Sequence, residues 1–217
     1  MKDIHVQFNL SESIRTHQRK LTDGSWIDTN SSEVIDFLDI KHDSICMDDI
    51  AQGLSNACRF AGQIPRFYSV AEHSVLVYKY LKGNLEGLPI ESFSSVLKSA
   101  LMHDAPEAYL GDVTTPLKNL CPGFKIIESE FEGVIMEAFG LDTHFSHHMI
   151  KEADYALFEI ERFAFRGGSE CETRYRLPDG LKIRNLSPEE ARAEFLTCVS
   201  ELRIQKLSPD ARSQSAR

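Results

Sequence analysis

The sequence predicts an all-α helical bundle with only minor extended pieces. Three observations carry this. Apolar residues recur at helical spacing in six stretches after residue 45. Helix start and stop residues flank several of them, with Ser69 and Ser187 at N-cap positions and Gly140 and Gly167-Gly168 beyond C-terminal ends. Runs of strand character are confined to the first 45 residues and to a short stretch near 171–184.

Residues 1–45 are mixed and polar and read as an N-terminal extension packing on the core, with Trp26-Ile27 and Val34-Ile35-Asp36-Phe37 as short strands or extended pieces. Asp48-Asp49 opens a helix carrying Ile50, Leu54, Ala57 and Phe60-Ala61, ending at Gly62. Ser69-Val70-Ala71-Glu72 is a capping-box pattern, followed by Val77 and Leu81, so His73 falls in the first turn or two of a helix. A further helix from about Glu91 to Asp104 sets Val96, Leu97, Ala100 and Leu101 on one face. Pro106 disfavours the α region for the residue before it, which puts His103-Asp104 at a helix end opening into a loop.

Residues 125–139 repeat the pattern with Ile126-Ile127, Phe131, Val134-Ile135 and Phe139, closed by Gly140. A helix from about Ser146 to Phe165 carries Ile150, Ala153, Leu157 and Ile160-Glu161, with Asp154 among them. Tyr175 to Ile183 reads as a small hairpin around Pro178-Asp179-Gly180. The last helix has Ser187 as N-cap, Pro188 at N1 and Glu189-Glu190 in its first turn, with Ala191, Phe195, Val199 and Leu202 as its apolar face. The helical domain is expected over 46–207, and the polar tail 208–217 is expected to be disordered.

Composition narrows the function classes. A net charge of -9 argues against non-specific binding of a nucleic-acid polymer, though a few placed cations still allow an anionic small substrate. The five cysteines are scattered and odd in number, with no CxxC pair, which reads as reduced thiols in a cytoplasmic protein. The first ten residues show no secretory apolar region, and no apolar run approaches the roughly 18–20 residues of a membrane span, so no membrane association is expected.

The chemistry gathers on His73, His103, Asp104 and Asp154. Two imidazoles and two carboxylates from three helices suit one divalent transition metal such as Mn, Co, Zn, Fe or Ni; an all-oxygen site would suit Mg or Ca better. Glu107 and Asp112 follow closely enough to handle protons beside that metal. On spacing alone other readings stand. A lone histidine is commonly a satisfied core or surface residue, and Asp112 after Gly111 fits a turn. Phe60 fits a core face, Lys118 a solvated surface, and Glu72 is best explained by the Ser69 capping box. His144, His147 and His148 read as a solvated loop or helix start rather than a second metal site.

The H…HD…D pattern resembles the HD-domain phosphohydrolase superfamily. The stretch from Ser69 to Ser74 and the stretch from His103 to Lys118, His-Asp-Ala-Pro-Glu-Ala-Tyr-Leu-Gly-Asp-Val-Thr-Thr-Pro-Leu-Lys, resemble two blocks of its 5′-deoxynucleotidase branch and of the phage deoxyadenosine-triphosphate triphosphohydrolases. Asp49 to Phe60 is similar to a subgroup of bacterial and phage HD-domain hydrolases, and the resemblance covers about residues 25–165. It implies an HD-domain bundle in which His73, His103, Asp104 and Asp154 bind the metal and Glu107 and Asp112 are the catalytic carboxylates. It further implies that Arg59 and Lys118 face the phosphate and that Phe60 lies beside the nucleoside. Arg66 is a weaker candidate for phosphate contact. A homodimer or higher homo-oligomer is implied as well.

The sequence departs from the pattern on the substrate side. The Arg59–His73 spacing is one residue shorter than in the bacterial monophosphatases, Phe60 replaces their tryptophan, and Gln63 stands where the subgroup has histidine. The activity so implied is metal-assisted hydrolysis of a nucleotide, either a 5′-(deoxy)nucleoside monophosphate or a triphosphate, by water attack on phosphorus. The alternatives are a diiron HD-domain oxygenase, which residues 105–143 disfavour by containing no histidine, and a non-catalytic nucleotide-binding module, which a complete set of six site residues disfavours.

Overall fold

A computed structural model describes residues 24–85, 93–141, 147–166 and 173–208. The described chain is mostly helical. A two-stranded antiparallel ribbon comes first, β1 (Trp26–Asp28) and β2 (Val34–Asp36), with Ile27 opposite Ile35. Eight α-helical segments follow among the described residues: α1 (Met47–Asn56), α2 (Val70–Asn84), α3 (Ser94–Met102), α4 (Glu107–Leu110), α5 (Thr115–Leu120), α6 (Pro122–Phe139), α7 (His147–Arg166) and α8 (Pro188–Glu201). The helical class is as expected. The start expected at Glu91, the tail beyond Ser208 and His144 lie outside the described residues.

Helix α2 is the axis of the bundle and touches α1, α3, α7 and α8. Its residues from Val70 to Tyr78 are all buried, polar ones included, because neighbours cover it on every side. Around it the core holds Leu54, Tyr68, Tyr78, Leu97, Leu101, Phe131 and Phe195, all under 2 % exposed. Each such side chain contributes roughly 1.5–3 kcal/mol of burial. The extension joins this core through Ile35 and Ile45. It is tied to α1 where Asp49 accepts bonds from the Ser31 N–H (2.7 Å) and hydroxyl (2.6 Å).

Local cap chemistry places the helix starts. Ser69 accepts from the Glu72 N–H at 3.1 Å, and Ser187 and Glu190 form a reciprocal capping box on α8. Gly140 closes α6 in the left-handed region. At Gly53 the α1 backbone lies so close to α4 that a Cβ would stand 2.3 Å from the Ala108 carbonyl oxygen.

Four expectations need correction. The first helix stops at Asn56, not Gly62. Ala57 and Cys58 extend, Cys58 bridges Ser69, and Phe60-Ala61-Gly62 then form a left-handed turn with φ of 58°, 52° and 71°. Glu72 does not complete its capping box; its carboxylate accepts the N–H groups of Arg184, Asn185 and Leu186 at 2.7, 3.1 and 2.8 Å. The same loop explains why Tyr175–Ile183 is no hairpin. The Pro178–Leu181 turn forms, but among the described residues its flanks pair with no strand, and they lay Leu177, Leu181 and Ile183 on the core. Finally, the chain after His103-Asp104 does not open into a loop. It makes tight turns, Ala105 N–H to Met102 O and Glu107 N–H to Asp104 O, and re-enters the short helix α4.

Candidate active site

His73 leaves the first turn of α2 with no exposed surface, and His103 is the C-terminal cap residue of α3. Their rings lie 5.4 Å apart between centroids. Each turns Nδ1 to a fixed acceptor. His73 Nδ1–H donates to Glu161 Oε1 at 2.6 Å, and His103 Nδ1–H donates to the Ala100 carbonyl at 2.9 Å. An acceptor at Nδ1 fixes the proton there, so both Nε2 atoms point to one place.

Two carboxylates meet them. Asp154 Oδ1, from α7, lies 3.1 Å from His73 Nε2 and 3.9 Å from His103 Nε2. Asp104 Oδ2 lies 3.3 Å from His103 Nε2 and 3.6 Å from His73 Nε2. Ligand bonds of about 2.1 Å set neighbouring donors roughly 3.0–3.4 Å apart, near these separations. His73, His103 and Asp154 offer ligand atoms all within 4.8 Å of one another, a group able to hold a metal ion. Asp104 stands at the edge of that group, its Oδ2 also 3.5 Å from Arg59 Nη1. His103 Nε2 is buried and makes no hydrogen bond among the described residues, which fits a donor set built for a cation.

The electrostatics agree. Burial and Arg59 oppose a charge on His73, but Glu161 and Asp154 outweigh them and raise its pKa to about 9. Burial likewise works against a charge on His103, and Asp104 and Asp154 raise its pKa all the same. Burial would raise Asp154, yet both imidazoles hold it well below the ordinary carboxylate range. The pocket therefore favours positive charge at its centre. Side-chain exposure rises from none at His73 to 20 % at Asp104 and 42 % at Asp154, so the centre is most open at Asp154 on α7.

The two trailing carboxylates lie next to this centre. Glu107, on α4, is buried; its Oε1 accepts from Lys118 Nζ at 3.1 Å and its Oε2 makes no hydrogen bond among the described residues. Burial, with Asp104 and Asp112 nearby, pushes its pKa up to about 9 against Lys118 and Arg59. Gly111, at φ 76° and ψ 160°, turns the chain so that Asp112 Oδ2 accepts the Phe60 N–H at 3.2 Å. Burial raises Asp112 as well, and Arg59 opposes it. Lys118 is held between Glu107 and Glu128; burial disfavours its charge, but the two carboxylates win and raise its pKa.

The other expected residues divide. Arg59 is buried, with Nε on Glu161 Oε2 at 3.2 Å. Phe60 is half-buried and stacks on Phe158, centroids 5.9 Å apart. Arg66 is exposed and outside the hydrogen-bonded cluster among the described residues. His148 is exposed at 88 % and pairs with Glu152 across 3.8 Å. Two cavities, about 280 and 230 Å³, meet at His103, Asp104 and Glu132. The first runs to Met136, Ile150 and Asp154, the second to Glu107 and Glu128. A larger groove of about 440 Å³ along α8 offers no such convergence: Lys79 and Arg184 at its wall are both paired with Glu194.

Glu161 went unrecognised in the sequence. It has no exposed surface and also accepts from the Tyr68 hydroxyl at 2.7 Å. Its signal was a carboxylate seven residues after Asp154, on the same helical face as Leu157.

Comparison with known proteins adds relatives. The chain is 40 % identical over 138 residues to the uncharacterized protein YfdR of Escherichia coli (strain K12), covering 64 % of this chain and 71 % of that one. It is 33 % identical over 184 residues to the uncharacterized protein RCAP_rcc00048 of Rhodobacter capsulatus, covering 79 % of this chain and 92 % of that one. The chain belongs to the family of these two proteins. No family model matches it. Among the described residues no helix is long and apolar enough to cross a membrane.

Proposed function

We propose that the chain is a metal-dependent phosphohydrolase of the HD-domain kind that hydrolyses 5′-(deoxy)nucleotides, as monophosphates or triphosphates. One observation supports this above others. Both imidazoles turn Nδ1 away and Nε2 toward Asp104 and Asp154, beside a buried carboxyl group, Glu107, whose pKa burial raises.

His73, His103 and Asp154 would hold the metal, with Asp104 at the edge of the group as the fourth candidate. When bound, a divalent transition metal supplies Lewis-acid stabilisation of phosphoryl charge and lowers the pKa of the attacking water. The rest is the work of the chain. Arg59 and Lys118 present the cations that meet charge on the phosphoryl oxygens. Asp112, held by the Phe60 N–H, orients the attacking water and takes one of its protons as the new P–O bond forms. Glu107 gives its proton to the leaving oxygen as the old P–O bond breaks. One proton leaves water and one reaches the leaving group, so the two carboxyl groups together finish with the protons they started with.

The test is a screen of purified protein with Mn, Co, Zn or Mg against ribo- and deoxynucleotides carrying one, two or three phosphates. His103→Ala and Glu107→Ala run alongside. Turnover of a subset, lost in both variants, is expected. Absence of turnover throughout, with metal bound, overturns the reading.

A further inference from the structure

Glu161 takes no part in the chemistry above, yet the fold buries it completely. An ionised carboxylate is tolerated in an interior only when its oxygens are satisfied. Three donors from one stretch, residues 59–73, lying 88 to 102 residues upstream, do this. Oε1 accepts from His73 Nδ1 (2.6 Å) and from the Tyr68 hydroxyl (2.7 Å), and Oε2 accepts from Arg59 Nε (3.2 Å).

We propose that Glu161 is a positioning residue that couples His73 to Arg59, so that one carboxylate sets both the cation-binding imidazole and the phosphate-facing guanidinium. The phosphate half rests on the phosphohydrolase reading. Holding Nδ1–H leaves His73 Nε2 for the centre. Holding Nε–H leaves Arg59 Nη1 facing Asp104, 3.5 Å away, at the edge of the same centre. With both oxygens engaged, the carboxylate cannot rotate without breaking one bond. Asp154 lies two turns earlier on α7, so a single helix delivers a direct ligand and the brace behind another. Any movement of α7 shifts both.

The substitution Glu161→Gln separates this from a merely structural role. An amide offers one acceptor and one donor where the carboxylate offered two acceptors. Its oxygen stays with the two donors, His73 and Tyr68, and its NH2 then opposes Arg59 Nε–H. The guanidinium turns away, and the imidazole loses the negative charge behind it. Two affinities are read without turnover: Co2+, by competition with a chelating dye and by its visible absorption, and inorganic phosphate on the Co2+-loaded protein.

Glu161→Gln is expected to weaken Co2+ binding about 10–100-fold, as loss of such partners does elsewhere, and to weaken phosphate binding too. Tyr68→Phe, which leaves both links in place, is expected to keep both affinities. If Glu161→Gln does not fold, Glu161→Asp serves: one methylene shorter, it reaches His73 or Arg59 but not both, and at least one affinity falls. A folded Gln or Asp variant with both affinities intact overturns the proposal. So does a Tyr68→Phe variant as weak as Glu161→Gln, since the loss is then one of packing. A wild type that binds Co2+ but hydrolyses no nucleotide removes the functional reading and leaves the His73 brace standing. A wild type that binds no Co2+ overturns both.

Discussion

Glu107→Gln should make the protein more stable and less active at once. The Glu107 pKa rises from 4.5 to about 9 in the folded chain, with burial as the largest cause and Asp104 and Asp112 adding to it. Below pH 4.5 the group is protonated folded or unfolded, and nothing is lost. Between the two values the folded state holds a proton that the unfolded state has released, so stability falls as pH rises. Above about pH 9 the loss is complete. Each pH unit in that window carries about 1.4 kcal/mol. At pH 7 the penalty is therefore at most about 3 kcal/mol. Glutamine matches the shape of the protonated acid and never ionises, so it removes the penalty.

The assay is thermal or urea unfolding in a chelating buffer from pH 4.5 to 9. At pH 7 about 3 kcal/mol corresponds to roughly 6–12 °C for a chain of this size. Wild type and variant should coincide at the acid end and diverge as pH rises, the variant above. Adding Mn2+ should narrow the gap, because a cation beside Glu107 favours its ionised form. Nucleotide turnover should fall about 10²–10⁴-fold, the usual worth of a general acid. A gap that is flat in pH, or that favours wild type at pH 8, refutes the account of Glu107 as a proton-holding group in a desolvated site.

Two backbone predictions follow. Gly53→Ala sets a methyl group 2.3 Å from the Ala108 carbonyl oxygen, so α4 must move; a loss of about 1–3 kcal/mol in urea unfolding and a lower kcat at unchanged metal affinity are expected, since α4 carries Glu107. Gly111→Ala forces a side chain into φ 76°, ψ 160°, a region nearly reserved to glycine; about 1–3 kcal/mol of stability and the Asp112 contact to Phe60 should be lost together, seen as a lower Tm and a lower kcat.

Legibility in the sequence followed the range of the interactions. Helices α2 and α8 were readable because Ser69 and Ser187 act within three residues of themselves. His73, His103 and Asp154 were readable as a set through the H…HD…D pattern and the resemblance it carries, since spacing alone left other readings open; the structure brings them together. Helix α5 was missed although Thr114 and Pro116 mark its start; six residues with none buried leave no apolar period to read. The end of α1 was missed because the left-handed turn at Phe60-Ala61 is held by remote partners, the Cys58–Ser69 bridge and the Asp112 carboxylate. The false hairpin at Tyr175–Ile183 failed for the same reason. The backbone donors just after it go to Glu72, more than a hundred residues away.

Glu161 sharpens the point. In sequence it stands between Ile160 and Arg162 at the end of the apolar face, and no role was assigned to it. Its partners lie 88, 93 and 102 residues upstream, so nothing local announces its burial. The pattern nevertheless held a contradiction: a carboxylate on the apolar face that also carries Asp154 and Leu157. A charge on a buried stripe must either break the helix packing or find partners inside. Where the periodicity is otherwise sound, the second outcome is the cheaper one. The partners it needs are the charged or hydrogen-bonding groups with no other place in the core, here His73, Tyr68 and Arg59. A charge that violates its own helix pattern is thus a pointer to the groups that must converge on it.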